Sequence, residues 1–246
     1  MKKTIIVLLG AAASVLFFAR WRRHETGKEL DPALTNGGNP PSVAQTKEDA
    51  MRRYVMYFLL PMWVLPGALD HLWHRRTKIE TTSGLEESLI HSLMMAEIGI
   101  PILLGLLFEI NAGLIALMIA AYLAHEATAI WDVSVAVECR KVLPREQHTH
   151  SFLEMLPFCA VSFVICLNWE QFRALFGQGS ERPRFALRLK QPPLESKYLV
   201  RILSAIGLFV GVPYGEELLR CWKAQRNEFS GLNTPEATRE LPTMSS

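Results

Sequence analysis

Residues 89–110 read LIHSLMMAEIGIPILLGLLFEI, and residues 112–131 read AGLIALMIAAYLAHEATAIW. Each stretch supplies the roughly 20 mainly apolar residues that a helix needs to cross the hydrocarbon layer of a membrane. The connection around Asn111 is so short that the two helices must form a tight antiparallel hairpin. The outer ends of both helices are therefore predicted to lie at the same membrane face.

Four other stretches complete the predicted bundle. They cover residues 4–19, 54–73, 152–169 and 198–214, and half of the 246-residue chain is hydrophobic. We therefore predict an all-α membrane helix bundle of about six spans. The first stretch follows a basic pair, as a secretory signal does, but Phe17 and Ala19 make a poor cleavage site. We interpret it as a membrane anchor.

The segments between these stretches define the predicted organisation. Residues 21–51 are polar and contain the string NGGNPP at 36–41, a composition that cannot bury a core. We predict an N-terminal membrane anchor over 1–20, a polar flexible linker over 21–51, a helix bundle over 52–226 and a disordered tail over 227–246.

Charge and cysteine content exclude several classes of protein. The net charge of +2 and the lack of a basic stripe argue against a nucleic-acid partner. The four cysteines show no paired spacing, which indicates reduced thiols and no disulfide framework.

Basic residues lie beside the ends of the spans: Arg75, Arg76, Lys78, Arg140, Lys141 and Arg145. A count of basic residues near span ends favours that side as cytoplasmic, although five arginines would then lie opposite: Arg20, Arg22, Arg23, Arg52 and Arg53.

Histidines and carboxylates gather at this same face. Six of the seven histidines lie between His71 and His150, and the alternation of spans places all six there. We predict metal ligands at His71, His74, His91, Glu97, His125, Asp132, His148, His150 and Glu154. We expect four further carboxylates to support these ligands: Asp70, Glu87, Glu126 and Glu146. A helix through His150 turns His148 away, so a solvated position is an equal alternative for His148.

The hairpin also predicts depth. Glu97 and His125 are equally far from Asn111 along their helices, and His91 and Asp132 are nearly so. Each acid and histidine pair is therefore expected at one level of the membrane. Ionisable groups at such depths usually face the bundle interior and mark function.

Imidazole and carboxylate groups are ligands of iron and zinc. A single zinc ion needs about four ligands, and the predicted set exceeds that number. Two metal ions fit it better. Two irons with open coordination positions would activate dioxygen, and the membrane could deliver a lipid or another apolar substrate.

The layout resembles the membrane-bound di-iron desaturase and hydroxylase superfamily. The comparable stretches are Asp70-His71-Leu72-Trp73-His74, His91, His125-Glu126 and His148-Thr149-His150. The HxxxH and HxxHH boxes of that superfamily are absent from this sequence. The resemblance implies a di-iron oxidoreductase that acts on a lipid or apolar substrate with electrons from an unidentified donor. The strings also resemble those of bacterial inner-membrane proteins, which implies that location.

Three other functions remain open from the sequence. A zinc hydrolase of lipid amides or esters would resemble the intramembrane ceramidase group in ligand type. A haem-binding membrane protein would use two histidines on facing helices. A non-catalytic transporter would use Glu97 and His125 as a proton relay.

Overall fold

The structure is a computed structural model that describes residues 43–232, with side chains described to residue 229. The predicted anchor over 1–20, most of the predicted linker and residues 233–246 lie outside the described residues. The described chain is helical and contains no β-strand. Its α-helices are α1 (Val43–Tyr54), α2 (Leu60–Thr77), α3 (Gly84–Leu107), α4 (Ala112–Cys139), α5 (Pro144–Leu167), α6 (Trp169–Ala174), α7 (Ser196–Ile206) and α8 (Val212–Leu232).

Five helical stretches are long and apolar enough to cross a membrane. They cover Val43–Thr77, Gly84–Leu107, Ala112–Cys139, Pro144–Leu167 and Ser196–Phe229. The first and last are each two α-helices joined by a π-helical turn, at Val55–Leu59 and Gly207–Gly211. The predicted all-α membrane bundle is confirmed, and the chain is an integral membrane protein. Helix α1 begins inside the segment predicted as linker, and α8 continues past residue 226.

The predicted hairpin is formed by α3 and α4, which pack against each other. The side chain of Asn111 caps α4 by accepting a hydrogen bond from the backbone N–H of Leu114 at 3.0 Å. Such a cap satisfies one of the free N–H groups at a helix start. The chain therefore stops and reverses at Asn111, as the sequence predicts.

The segment after α6 returns across the tip of this hairpin. The backbone N–H of Gly113 donates to Arg184 O at 3.0 Å, and the N–H of Lys190 donates to Leu107 O at 3.0 Å. A Cβ on Gly113 would lie 3.1 Å from Phe185 Cα, so the close approach requires glycine. These contacts hold Lys190 beside the end of α3.

The spans alternate in direction, so the same membrane end holds the last turns of α2 and α4 and the first turns of α3 and α5. Helix α8 passes this end, where it contributes Glu217, and it packs along α3. We call this the cluster end of the bundle. The opposite end holds the tip of the α3–α4 hairpin.

Candidate metal centre

Eight ionisable side chains from five helices meet inside the cluster end. They form what we call the histidine–carboxylate cluster: Asp70 and His74 of α2, Glu87 and His91 of α3, Asp132 of α4, Glu146 and His150 of α5, and Glu217 of α8. Each is at most 7 % exposed to solvent. Since polar groups are costly to bury without partners, the contacts among these groups decide what the site can bind.

Glu217 is the group that joins the two central histidines. Its Oε2 accepts from His74 Nδ1 at 2.9 Å, and its Oε1 accepts from His91 Nδ1 at 3.0 Å. A carboxylate can only accept, so both Nδ1 atoms carry the proton. In the neutral ring, each Nε2 then carries a free lone pair.

The two imidazole rings are held in parallel. The ring centroids of His74 and His91 are 4.4 Å apart, and the ring planes differ by 2°. Neither Nε2 atom has a hydrogen-bond partner among the described residues, although both are buried. A buried, unpartnered imidazole nitrogen whose other nitrogen is fixed by a carboxylate is the arrangement of a metal-binding histidine.

Each free Nε2 faces its own group of carboxylates. His74 Nε2 lies 3.4 Å from Asp70 Oδ2 and 3.9 Å from Glu146 Oε1. His91 Nε2 lies 3.1 Å from Asp132 Oδ1 and 3.9 Å from Glu87 Oε1. Three sets of donor atoms, each within 4.8 Å of one another, could hold an ion: Asp70, His74 and His150; His74, His91 and Glu217; and Glu87, His91 and Asp132. Hydrogen bonds between Glu217 and the two Nδ1 atoms already occupy the middle set, so we call the first and the last the two donor sets.

Asp70 is oriented from two sides. Its Oδ1 lies 2.8 Å from His150 Nε2, and its Oδ2 accepts from the hydroxyl of Tyr214 at 2.8 Å. These contacts tie α2 to α5 and to α8. The carboxylate therefore has little freedom to rotate away from His74.

Arg140 lies at the outer edge of the cluster, between two carboxylates. Its Nη2 donates to Glu87 Oε1 and to Glu146 Oε1, both at 2.5 Å. Burial alone would lower the pKa of Arg140, but the hydrogen bonds and charges of Glu87 and Glu146 outweigh it and raise the pKa further. The guanidinium therefore remains charged and links the two donor sets.

The charges of the cluster do not balance within the protein. Its five carboxylates are Asp70, Glu87, Asp132, Glu146 and Glu217, and one guanidinium, Arg140, contacts them. With neutral histidines, four negative charges remain. Uncompensated charge is strongly unfavourable in a protein interior. Bound cations or added protons must supply the balance, and two divalent ions carry the required charge.

The predicted site residues fall into three groups: those in or beside the cluster, a deeper pair, and those outside both. His74, His91, Asp132 and His150 join the cluster, together with the predicted supporting residues Asp70, Glu87 and Glu146. His71 lies at its edge, with Nδ1 3.6 Å from Glu217 Oε2.

Glu97 and His125 form a separate pair, deeper along α3 and α4. Glu97 Oε2 lies 3.8 Å from His125 Nδ1, and Glu97 Oε1 accepts from Thr128 Oγ1 at 2.8 Å. Neither nitrogen of His125 meets hydrogen-bond geometry with a described residue. Neither Glu97 nor His125 belongs to a donor set.

Three other predicted residues lie outside both the cluster and this pair. His148 is exposed and packs its ring edge-on against Phe152. Glu126 and Glu154 interact electrostatically with each other and are only partly buried. None of these side chains belongs to a donor set of the described chain.

Sequence reasoning missed Glu217, Tyr214 and Arg140. The predicted last span stops at Tyr214, and Glu217 follows one helical turn later at the same membrane face. Continuing the helix through this turn would have placed Glu217 among the histidines. Arg140 was treated only as an orientation signal.

A cavity of about 200 Å³ opens beneath the cluster. Its polar end is formed by Asp70, His91, Asp132 and His150, and Tyr214 and His125 lie along its wall. Glu154 also lines the cavity, and the rest of the lining is apolar and includes Trp63, Met94 and Val210. An apolar group in this cavity would meet the donor atoms directly.

No family model, no curated protein and no solved structure matches this chain.

Proposed function

We propose that the protein is a membrane metalloenzyme whose histidine–carboxylate cluster holds two iron ions and oxidises an apolar chain, as a hydroxylase or desaturase does. One observation carries the proposal. Glu217 binds the Nδ1 atoms of His74 and His91 together and leaves both Nε2 atoms buried, unpartnered and facing separate carboxylates.

Each ion would take one of the two donor sets. Asp70, His74 and His150 would hold the first, once His150 gives up the Nε2 proton that it shares with Asp70. Glu87, His91 and Asp132 would hold the second. Two histidines and one carboxylate with open positions are the donors of non-haem Fe(II) enzymes. A histidine with several carboxylates is typical of di-iron sites in helix bundles. Iron therefore suits both sets.

The remaining groups would position the donors and balance their charge. Glu217 would fix the tautomer and direction of both histidines. Arg140 would neutralise part of the charge of Glu87 and Glu146, while the Tyr214 hydroxyl would keep Asp70 turned toward His74. None of these three groups needs to bind an ion directly.

The apolar wall of the cavity supports an apolar substrate. Met94, Val210 and Trp63 would orient the chain and exclude water from the reacting carbon. When bound, the irons would supply an oxidation by dioxygen, in which an external donor gives two electrons and the solvent two protons. A C–H bond then becomes a hydroxyl group with release of one water, or two adjacent C–H bonds become a double bond with release of two.

We place the protein in a bacterial inner membrane with the cluster end at the cytoplasmic face. The loops at that end carry Arg75, Arg76, Lys78, Arg140, Lys141 and Arg145, which supports this orientation. An electron donor would then approach from the cytoplasm.

The test is the metal content of the full chain, purified in detergent and analysed for each element together with its visible spectrum. We expect two irons per chain. His150→Ala should remove most of the first ion, while His148→Ala, an exposed histidine two residues away on the same helix, should keep both.

Other outcomes would replace the proposal. One zinc per chain would favour the lipid amide or ester hydrolase, since zinc also binds two histidines and one carboxylate. A Soret band would indicate haem. No metal, or equal content in the two histidine variants, would refute a metal site at the cluster.

A further inference from the structure

A second and larger cavity, of about 710 Å³, lies toward the opposite membrane end. Leu60, Trp63, Ile98 and Ile102 line both this cavity and the one beneath the cluster, so the two cavities abut. Their combined size is within the range of about 300–1,000 Å³ that is common for ligand pockets. Most of the larger cavity is apolar, but its far end is lined by charged side chains.

Lys190 is the cation held most firmly at that end. The backbone pairing of its segment with the end of α3 fixes its position, and its ammonium donates to the carbonyl of Gly105. Burial first, and the charge of Arg52 second, lower the pKa of Lys190 to about 8. Both Lys190 and Arg52 line this cavity, so the ammonium group is held at the edge of an apolar space.

The described protein does not neutralise Lys190 with an ion pair. Glu109 and Glu195 also line the cavity, but neither forms a salt bridge with this ammonium. An ammonium group has three donors, and Gly105 accepts from only one of them. An acidic group in the cavity would add a charge-assisted hydrogen bond and relieve the repulsion from Arg52.

We infer that Lys190 forms a head-group site for a long single-chain acid, whose apolar chain runs through both cavities to the histidine–carboxylate cluster. The inference rests on the proposed function, because it names the substrate class of that site. It places the acidic head and the reacting carbon at opposite ends of the bundle.

The dimensions of the path favour one long chain. Gly105, which holds Lys190, and His91, which lies in the cluster, are separated on α3 by about 21 Å at a rise of 1.5 Å per residue. This is a large part of the roughly 30 Å hydrocarbon layer, so only a long chain would reach the cluster. The cavity at the cluster, about 200 Å³, is less than a third of the size of the larger cavity, so the path narrows toward the cluster. A path that narrows in this way favours the end of one chain.

The test measures binding of palmitate and of hexadecanol, a neutral chain of equal length, to the full protein in a maltoside detergent by calorimetry. We expect palmitate to bind more tightly. Lys190→Gln should weaken palmitate binding about tenfold or more, because it removes a charge-assisted hydrogen bond, and should leave hexadecanol binding unchanged. Lys190→Arg, which keeps the charge, should retain much of the affinity.

Lys197→Gln is the matched control, since Lys197 is exposed and outside both cavities. Equal palmitate affinity in the Lys190→Gln and Lys197→Gln variants would overturn the inference, including the case in which palmitate binds the metal directly. Tighter binding of phosphatidylglycerol than of palmitate would also overturn the single-chain assignment.

Metal content is measured on the same samples. Absence of metal in the unmodified protein would refute the proposed function, whereas palmitate binding that depends on Lys190 would still establish the head-group site.

Discussion

Glu217→Gln is the substitution that most directly probes the two-ion arrangement. It preserves the shape of a side chain that is completely buried. The carboxylate offers one oxygen to His74 Nδ1 and the other to His91 Nδ1. Glutamine has only one oxygen, and its NH₂ group would face the second imidazole as donor against donor. One of the two histidines must therefore change its tautomer and lose its free Nε2, or rotate away.

The expected loss of metal affinity differs between the two ions, because only one of the two histidines keeps an oxygen partner. Loss of a partner that orients a metal ligand typically costs about 10- to 100-fold in metal affinity, or about 1.4–2.8 kcal/mol. The ion bound through the histidine that retains its oxygen partner should stay near the lower limit. The other ion should reach or exceed the upper limit, since its ligand presents a proton in place of a lone pair.

The assay is anaerobic dialysis of the purified protein against graded concentrations of Fe(II), followed by iron determination. At a concentration that saturates the unmodified protein, Glu217→Gln should hold about one ion per chain. Glu216→Gln is the matched control, because the neighbouring Glu216 is 39 % exposed and pairs with Arg75 at 2.8 Å. Two ions bound with unchanged affinity in Glu217→Gln would refute the reasoning.

Three further changes test other parts of the site. Arg140→Met should destabilise the protein by about 3–5 kcal/mol, since it leaves Glu87 and Glu146 buried without their cation. Thermal unfolding would show this as a clear loss relative to the exposed control Arg145→Met, and similar unfolding temperatures would contradict it. Glu97→Gln should keep both ions because Glu97 belongs to neither donor set, and loss of an ion on elemental analysis would restore Glu97 as a ligand. Single cysteines at Thr82 and Lys141 should react with an impermeant reagent from one side of the membrane, and one at Ser180 from the other. This labelling needs the exposed native Cys139 and Cys166 changed to serine, and labelling of Thr82→Cys and Lys141→Cys from opposite sides would contradict the hairpin.

The spans and the depths of the polar pairs could be predicted from the sequence, because both follow from helix geometry. A long apolar stretch can satisfy its backbone in the membrane only as a helix, and a tight turn at Asn111 fixes the levels of residues on either side. The structure brings both expected pairs together. His91 Nε2 lies 3.1 Å from Asp132 Oδ1, and Glu97 Oε2 lies 3.8 Å from His125 Nδ1.

The side of a helix on which each polar residue lies is harder to predict from the sequence. His148 and His150 lie at one level, yet two residues on a helix differ by about 200° around its axis. His150 faces Asp70, while His148 faces outward. A sequence gives this difference only if the buried face is known, and here the buried face of α5 is defined by α2.

Glu217 shows a second limit of prediction from sequence, which is where a membrane span ends. Hydropathy ends the last span at Tyr214, because Glu216 and Glu217 are costly in lipid. The cost disappears when the helix continues against other helices, where the carboxylate receives hydrogen bonds from two imidazoles. Polar residues just beyond an apolar stretch therefore need to be judged by the groups that the topology brings near them.

Under the proposed function, the position of Glu217 would link metal binding to assembly of the bundle. The two donor sets come from α2, α3, α4 and α5, whereas the group that orients both central histidines comes from α8. Without ions, the four unbalanced negative charges would favour added protons or separation of these helices. Each bound ion would link the helices that supply its ligands, and α8 would have to be docked for either central histidine to present its lone pair. Docking of the last span and filling of the two ion positions would then stabilise each other, as expected when a metal site exists only in the folded chain.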